Sequence, residues 1–216
     1  MNIKMMMQEK EQVVRYGKKL IDRRLTTGSG GNISVYNREK NLVAISPSGL
    51  DYYETTPEDI VILDIDGNLV EGKHRPSSEA GMHLAFYKNR ADVSGIVHTH
   101  SKFATAIACM GWELPAVHYL IGMAGHRVKC TGYATYGSDE LAKKALETIG
   151  DSNAVLLANH GLIALGEDVD RAFSTAEHLE FVSEVYYLTK TLGTPNILSD
   201  ENMDEVMKKF GTFRYK

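Results

Sequence analysis

The sequence predicts an α/β protein: a three-layer α/β/α sandwich with helices on both faces of a mixed, largely antiparallel central sheet. Two observations support this prediction. Short strand-like runs follow the first helix and are separated only by turn signals, as expected for antiparallel neighbours. Further along, helical patterns alternate with apolar strand-like runs, which is typical of layered α/β proteins. The 216 residues contain no repeat, low-complexity tract or linker, so we expect one domain over residues 1–216.

The first part of the chain reads as one helix followed by strands. Val13, Leu20 and Ile21 recur at helical spacing, which predicts a helix over residues 8–25 that ends before Gly28. Turn signals such as Asp66-Gly67 then separate short β-type runs. The predicted strands cover residues 32–36, 42–46 and 60–64.

The remainder of the chain alternates between helices and apolar runs. Ser138 is expected to cap a helix that ends near Gly150, and Ser199 a last helix. Gly193 and Pro195 are expected to close a long helix. In order, we predict a helix over 78–89, a strand over 95–100, a helix from about 101, a helix over 138–150, a strand over 154–161 and a helix over 168–192.

Composition limits the possible partners. The net charge of -4 offers no general attraction to nucleic acid or to acidic membranes. No run approaches the length of a membrane span, and the N-terminus shows no apolar signal-peptide core. Cys109 and Cys130 form no CxxC pair and read as free thiols. We therefore expect a cytoplasmic protein with a small-molecule partner and with neither nucleic acid nor membrane as a partner.

Histidine spacing points to a metal site. His98 and His100 are separated by one residue in a predicted strand, so their side chains leave the same face. His160 ends another apolar run, and Glu79 begins a predicted helix. Each of these features alone has a plain structural explanation, such as a capping carboxylate for Glu79. Together, three imidazoles and one carboxylate form a typical zinc set, although other divalent ions also fit.

Three loops rich in small residues could bind an anion. Gly28 to Asn32 fails the dinucleotide-binding pattern because Ile33 replaces its last glycine, so we interpret it as a backbone nest for a phosphate. Ordinary turn chemistry would explain any one of these loops. The loops are residues 28–32, in which Gly31 and Asn32 are the expected donors, residues 46–49, and Ser77 with Ser78.

The pattern as a whole resembles the class II aldolase family, of which L-fuculose-phosphate aldolase is typical. The resemblance runs from the N-terminal helix to about Phe210. Its markers are Gly31-Asn32-Ile33-Ser34, Ser46-Pro47-Ser48-Gly49, Pro76-Ser77-Ser78-Glu79, His98-Thr99-His100, Pro115-Ala116-Val117-His118-Tyr119, Tyr133-Ala134-Thr135-Tyr136-Gly137 and Asn159-His160-Gly161-Leu162.

The resemblance implies a site and an assembly. It implies one Zn²⁺ per subunit on Glu79, His98, His100 and His160. It implies a phosphate pocket formed by Gly31, Asn32, Ser48, Gly49, Ser77 and Ser78. It also implies a homotetramer with active sites between subunits, to which Tyr119 of a neighbour contributes.

The implied reaction is the reversible cleavage of a ketose 1-phosphate, such as L-fuculose 1-phosphate. The products are dihydroxyacetone phosphate and an aldehyde such as lactaldehyde, formed through a metal-stabilised enediolate. Glu79 is expected to leave the metal and act as the base at C3, and Tyr119 to protonate the aldehyde oxygen in the synthetic direction.

Several related activities stay open. An aldolase for 5-deoxypentulose 1-phosphates is a near competitor, as are a methylthioribulose-phosphate dehydratase and a decarboxylase of the same superfamily. The sugar-phosphate 4-epimerases usually carry Asp at the position of Glu79, so Glu79 favours aldol cleavage. An adducin-like structural module should lack the metal ligands. In the tail, Phe213 stands where the typical member has a functional tyrosine, with Tyr215 two residues away.

Overall fold

A computed structural model describes residues 6–212. Phe213 and Tyr215 lie outside the described residues. The centre is a seven-stranded sheet in the order β4-β3-β2-β1-β5-β7-β6, and each neighbouring pair of these strands is antiparallel. The strands are β1 Asn32–Asn37, β2 Leu42–Ile45, β3 Val61–Asp64, β4 Leu69–Glu71, β5 Gly95–Thr99, β6 Ala154–Leu157 and β7 Gly161–Gly166.

The helices cover both faces of this sheet. Five of them pack on it directly: α1, α3 and α5 share one apolar core, and α2 and α4 share the other. α6 joins the first layer through a 3-10 helix at Tyr119–Met123. The helices are α1 Met7–Asp22, α2 Ala80–Asn89, α3 Lys102–Cys109, α4 Asp139–Ile149, α5 Val169–Leu192 and α6 Asp200–Thr212.

Period-two alternation in the strands assigns side chains to the two layers. In β1, Ile33 and Val35 face the α1–α5 layer, and Tyr36 faces the α2–α4 layer. In β5, Val97 faces the first layer and Ile96 the second. His98 therefore points towards α2, because it lies two residues beyond Ile96 on the same strand.

Local signals account for the helix starts. The Ser138 hydroxyl accepts a hydrogen bond from the Leu141 amide at 3.1 Å, which caps α4 as predicted. The Asp168 carboxylate accepts one from the Arg171 amide at 2.7 Å and caps α5.

The predicted α/β sandwich is confirmed, but each pair of neighbouring strands is antiparallel, so the sheet is not mixed as predicted. Three further differences concern detail. Strands β4 and β7 were not predicted: β4 is very short and exposed, and β7 follows so closely on β6 that the two read as one run. His160 therefore lies in a turn rather than at a strand end. The third difference is at α2, where Glu79 occupies the N-cap position and the helix begins at Ala80. Among residues 6–212, no helix is long and apolar enough to cross a membrane.

Candidate metal centre and phosphate cradle

Three elements converge at one edge of the sheet. His98 is the penultimate residue of β5 and His100 follows the strand, Glu79 occupies the N-cap position of α2, and His160 lies in the turn between β6 and β7. Because β5 pairs with β7, and His98 pairs with Ile163, the turn is held beside the end of β5. The structure thus brings together all four residues that the sequence singled out as ligands, with their ligand atoms within 4.8 Å of one another.

The geometry centres on Nε2 of His98. This atom lies 2.9 Å from Nε2 of His100 and 3.2 Å from Nε2 of His160. It also lies 3.1 Å from Oε2 of Glu79, whose Oε1 is 3.5 Å from Nε2 of His160. These separations bracket the edge of about 3.3 Å expected for a tetrahedron around zinc with bonds of about 2.0 Å.

The donor set fits a cation better than it fits a hydrogen-bond network. The Nδ1–H of His98 donates to the Leu162 carbonyl at 2.9 Å, which leaves a lone pair on Nε2 in the neutral ring. One proton on that Nε2 cannot satisfy three acceptors at once, whereas a cation between them can. Within the described residues, Glu79 Oε1 and His160 Nδ1 are buried and have no hydrogen-bond partner. The cluster can therefore hold a metal ion.

Electrostatics prepares these groups as ligands. Burial, together with the neighbouring rings of His98 and His160, lowers the pKa of His100 to about 3. Burial and His98 lower the pKa of His160 to about 4. Burial opposes ionisation of Glu79, but His98, His160 and a hydrogen bond from Asn32 outweigh it and lower the pKa of the carboxyl group. At neutral pH, His100 and His160 therefore present bare nitrogens, and Glu79 a carboxylate.

A buried polar seam lies behind the centre, where α2 crosses β1. The Asn32 amide donates to Glu79 Oε2 at 2.9 Å. One and two helical turns beyond Glu79, His83 Nδ1 and Tyr87 Oη each lie 2.7 Å from the Ser34 hydroxyl. The seam is fully buried and orients the start of α2 against the strand that carries Asn32.

The predicted phosphate loops meet beside this centre. All six candidate residues line one cavity of about 390 Å³, which Glu79, His100 and His160 also line. Within the described residues, the backbone N–H groups of Gly31, Gly49 and Ser78 donate no hydrogen bond, so they are free to bind an anion.

The other candidate donors are partly committed. The Ser48 backbone N–H donates to the Arg75 carbonyl oxygen, and the Ser77 backbone N–H donates to the Ser46 carbonyl oxygen. These two hydrogen bonds hold the loops together. The Ser77 hydroxyl oxygen accepts a hydrogen bond from the Glu79 backbone N–H at 3.3 Å. The side-chain amide of Asn32 donates its hydrogen bond to Glu79, so that bond is not available to an anion.

Tyr119 lies elsewhere on the chain. It is not among the residues that line the cavity, and its side chain is 47% exposed. Its ring lies 4.7 Å from that of His118 and 6.3 Å from that of Phe210, measured between centroids. The structure therefore does not bring Tyr119 to the metal cluster of its own chain.

Sequence reasoning gave no role to Tyr133, Tyr136 and Asn159, whose side chains can form hydrogen bonds and which also line the cavity. Tyr133 and Tyr136 are 62% and 68% exposed at its mouth, and Asn159 precedes His160 with a left-handed φ of 57°. The tyrosines belong to one of the sequence markers, which was the available signal. Their position at this edge of the sheet depends on a long connection whose path no local pattern predicts.

Comparison with known proteins identifies the family. A family model described as the class II aldolase and adducin N-terminal domain matches residues 11–187. The chain is 53% identical over 206 residues to a 5-deoxy-D-ribulose 1-phosphate aldolase of Bacillus thuringiensis serovar kurstaki, covering 95% of this chain and 97% of that protein. It is 38% identical over 190 residues to a 5-methylthioribulose-1-phosphate/5-deoxyribulose-1-phosphate aldolase of Rhodospirillum rubrum, covering 88% and 85% of the two chains.

A solved structure agrees with these matches. An L-fuculose 1-phosphate aldolase superposes with a TM-score of 0.93 at 46% identity, covering 94% of this chain and 96% of that chain. The protein belongs to the class II aldolase family. Within that family, the comparisons place it among sugar-phosphate aldolases.

Proposed function

We propose that this protein is a metal-dependent aldolase that reversibly cleaves a 5-deoxypentulose 1-phosphate, such as 5-deoxyribulose 1-phosphate. Breaking the bond between C3 and C4 of that sugar yields dihydroxyacetone phosphate and acetaldehyde. The observation that carries the proposal is the intact cluster of three histidines and one glutamate in a chain 53% identical to a 5-deoxy-D-ribulose 1-phosphate aldolase. The same cluster argues against a purely structural, adducin-like module.

Glu79, His98, His100 and His160 would hold the metal, with zinc the ion that suits three imidazoles best. When bound, the ion supplies Lewis-acid stabilisation of the negative charge that develops beside the C2 carbonyl.

Glu79 is the proposed acid–base group. Its Oε1 is buried and, within the described residues, has no hydrogen-bond partner, so it is free to accept a proton. In the synthetic direction this carboxylate removes a proton from C3 of dihydroxyacetone phosphate, and in cleavage it returns the proton to C3. Asn32, bonded to Oε2, orients the carboxylate.

The phosphate lies, in this proposal, among the free N–H groups of Gly31, Gly49 and Ser78 and the hydroxyl groups of Ser48 and Ser78. This arrangement suits a chain without a general positive charge, because backbone dipoles supply the attraction locally. Fixing the phosphate fixes the C1 end of the sugar, which places C3 beside Glu79.

Tyr119 would reach this site from a neighbouring subunit of a homotetramer and exchange a proton with the oxygen on C4. An apolar surface that includes Tyr119 supports such an assembly. It extends over the segment after α3, the 3-10 helix and the outer side of α5. Its exposed side chains are Met110, Trp112, Tyr119, Phe181, Tyr187, Leu188 and Leu192. Large exposed apolar patches of this kind mark protein interfaces.

L-Fuculose 1-phosphate is the second candidate substrate, favoured by the structural match at 46% identity. Its cleavage releases lactaldehyde, which carries one more hydroxyl group than acetaldehyde. A site made for the two-carbon aldehyde needs no partner for that hydroxyl group.

The proposed place of the reaction is the cytoplasm, where the free thiols of Cys109 and Cys130 stay reduced.

The test is a substrate comparison with a metal control. Purified protein is incubated with 5-deoxyribulose, L-fuculose, L-rhamnulose and L-ribulose 1-phosphates, and dihydroxyacetone phosphate is measured. We expect the largest kcat/KM for 5-deoxyribulose 1-phosphate, loss of activity after chelation, and recovery on addition of zinc. Faster cleavage of L-fuculose 1-phosphate would assign the second candidate, and full activity of metal-free protein would exclude the Lewis-acid mechanism.

A further inference from the structure

We infer that Tyr52 is a positioning residue for the substrate phosphate: its hydroxyl group holds the glycine loop so that the Gly31 N–H faces the cavity. The inference rests on the proposed function, because it concerns the phosphate end of that site. Tyr52 does not line the cavity itself, and it therefore acts only through the loop.

Tyr52 contacts the glycine loop through its hydroxyl group and helix α1 through its ring. The residue follows β2 in the chain and is 6% exposed. Its hydroxyl group lies 2.8 Å from the Gly31 carbonyl oxygen and 3.2 Å from the Gly30 carbonyl oxygen, and its single proton is shared between the two in a bifurcated hydrogen bond. Its ring packs on α1 at Gly17, where an added Cβ would lie 2.5 Å from Tyr52 Cδ1.

Peptide geometry connects these contacts to the anion. In a trans peptide the carbonyl of one residue and the N–H of the next point in opposite directions. The chain has no cis peptide among the described residues. Because the Gly30 carbonyl points towards Tyr52, the Gly31 N–H points away from it, towards the cavity that Gly31 lines. That N–H is one of the free donors of the cradle.

The Tyr52 hydroxyl group stays protonated and therefore remains a hydrogen-bond donor. Burial raises the pKa of Tyr52, so the group keeps its proton at neutral pH. Within residues 6–212, no other group donates to the Gly30 or Gly31 carbonyl. Without the Tyr52 hydroxyl group, these peptides lose one restraint, and ordering them when the phosphate binds costs more free energy.

The first test replaces the hydroxyl group alone. For metal-loaded Tyr52→Phe, we expect the Kd of inorganic phosphate and the KM of the ketose 1-phosphate to rise about tenfold, with kcat within about threefold of wild type. The bound metal content should be unchanged. Calorimetry gives the Kd, and steady-state release of dihydroxyacetone phosphate gives the kinetic constants.

Tyr36→Phe is the matched control. Tyr36 is also a buried tyrosine, and its hydroxyl group donates to Asn41 Oδ1 at 2.6 Å, near the end of β1 that is remote from the glycine loop. This variant should lower the unfolding temperature without changing the Kd of phosphate. If Tyr52→Phe behaves in the same way, Tyr52 is merely structural and the inference is overturned.

A second variant tests the role of Tyr52 if Tyr52→Phe does not fold. Gly17→Ala keeps the hydroxyl group but forces the Tyr52 ring to shift, while alanine suits the helix itself. We expect a similar rise in the Kd of phosphate, and an unchanged Kd would contradict the role of Tyr52. Wild-type protein that binds no phosphate would instead overturn the proposed cradle, and with it any role for Tyr52 there.

Discussion

At the scale of single residues, the site depends on how one buried imidazole is surrounded. His98 is fully buried and meets two further imidazoles and a carboxylate through one nitrogen. Its other nitrogen is occupied by the Leu162 carbonyl, which fixes the ring orientation. Glu79 has a different character: one oxygen is held by Asn32, and the other has no hydrogen-bond partner within the described residues. This asymmetry suits a carboxylate that both binds a metal and moves a proton.

The first prediction concerns Glu79→Gln. The amide keeps the size of the side chain but cannot act as a base, so exchange of the C3 proton of dihydroxyacetone phosphate with solvent should slow about 100- to 10,000-fold. The exchange is followed by NMR in deuterated water, with circular dichroism to verify folding. Glu147→Gln, on the exposed side of α4, is the control and should exchange at the wild-type rate. Wild-type exchange in Glu79→Gln would remove the base role from Glu79.

At the scale of elements, the β6–β7 hairpin determines where the third imidazole lies. The turn is tight, and β7 pairs closely with β5, so His160 is brought beside His98 and His100. Gly161 makes this approach possible, because an added Cβ there would lie 2.2 Å from the Thr99 carbonyl oxygen and 3.2 Å from His100 Cδ2. The hairpin and the end of β5 can therefore approach only where a side chain is absent.

The second prediction follows from this approach. Gly161→Ala should separate β7 from β5, displace His160 from the other two rings, and weaken metal binding about 10- to 100-fold. A competition titration against a chromophoric chelator measures the affinity. Gly81→Ala in α2 meets no atom within 4 Å and should leave the affinity unchanged. Equal affinities for the two variants would show that the hairpin does not position His160.

In the whole molecule, the proposed catalytic groups are distributed over separate surfaces. The candidate metal cluster and the proposed phosphate cradle share one cavity, whereas Tyr119 lies on an exposed apolar surface that includes α5. An active site that needs both groups is therefore incomplete within one chain. The proposed tetramer resolves this separation by placing the Tyr119 of one subunit at the cavity of another.

Mixing two inactive variants tests this arrangement. Glu79→Gln and Tyr119→Phe subunits are each expected to form tetramers with little activity. If sites form between subunits, random reassembly of an equal mixture should restore wild-type pairs at about one quarter of the sites. Aldol cleavage is measured before and after reassembly, with each variant reassembled alone as the control. No recovery in mixed tetramers would show that both groups act within one chain.

Most of the secondary structure and the candidate ligands could be predicted from local pattern. The Ser138 cap, the long α5 helix and the side-by-side arrangement of His98 and His100 follow from period and capping, which depend only on neighbouring residues. Strand β7 and the position of His160 in a turn were not predicted. Asn159 and Gly161 are residue types that favour turns, but it is the pairing of β7 with β5 and β6 that shows the chain reversing there.

Local sequence patterns are enough to predict the kind of chemistry available: the ligand types, the donor-rich loops and the layered α/β architecture. They do not predict which of these groups meet, because distances between residues 79, 98 and 160 depend on strand pairing and helix packing. Tertiary packing also directs the Asn32 amide to Glu79, leaves Tyr119 outside the cavity and places Tyr52 behind the glycine loop. These outcomes arise from contacts between distant segments, and periodicity along a chain carries no information about them.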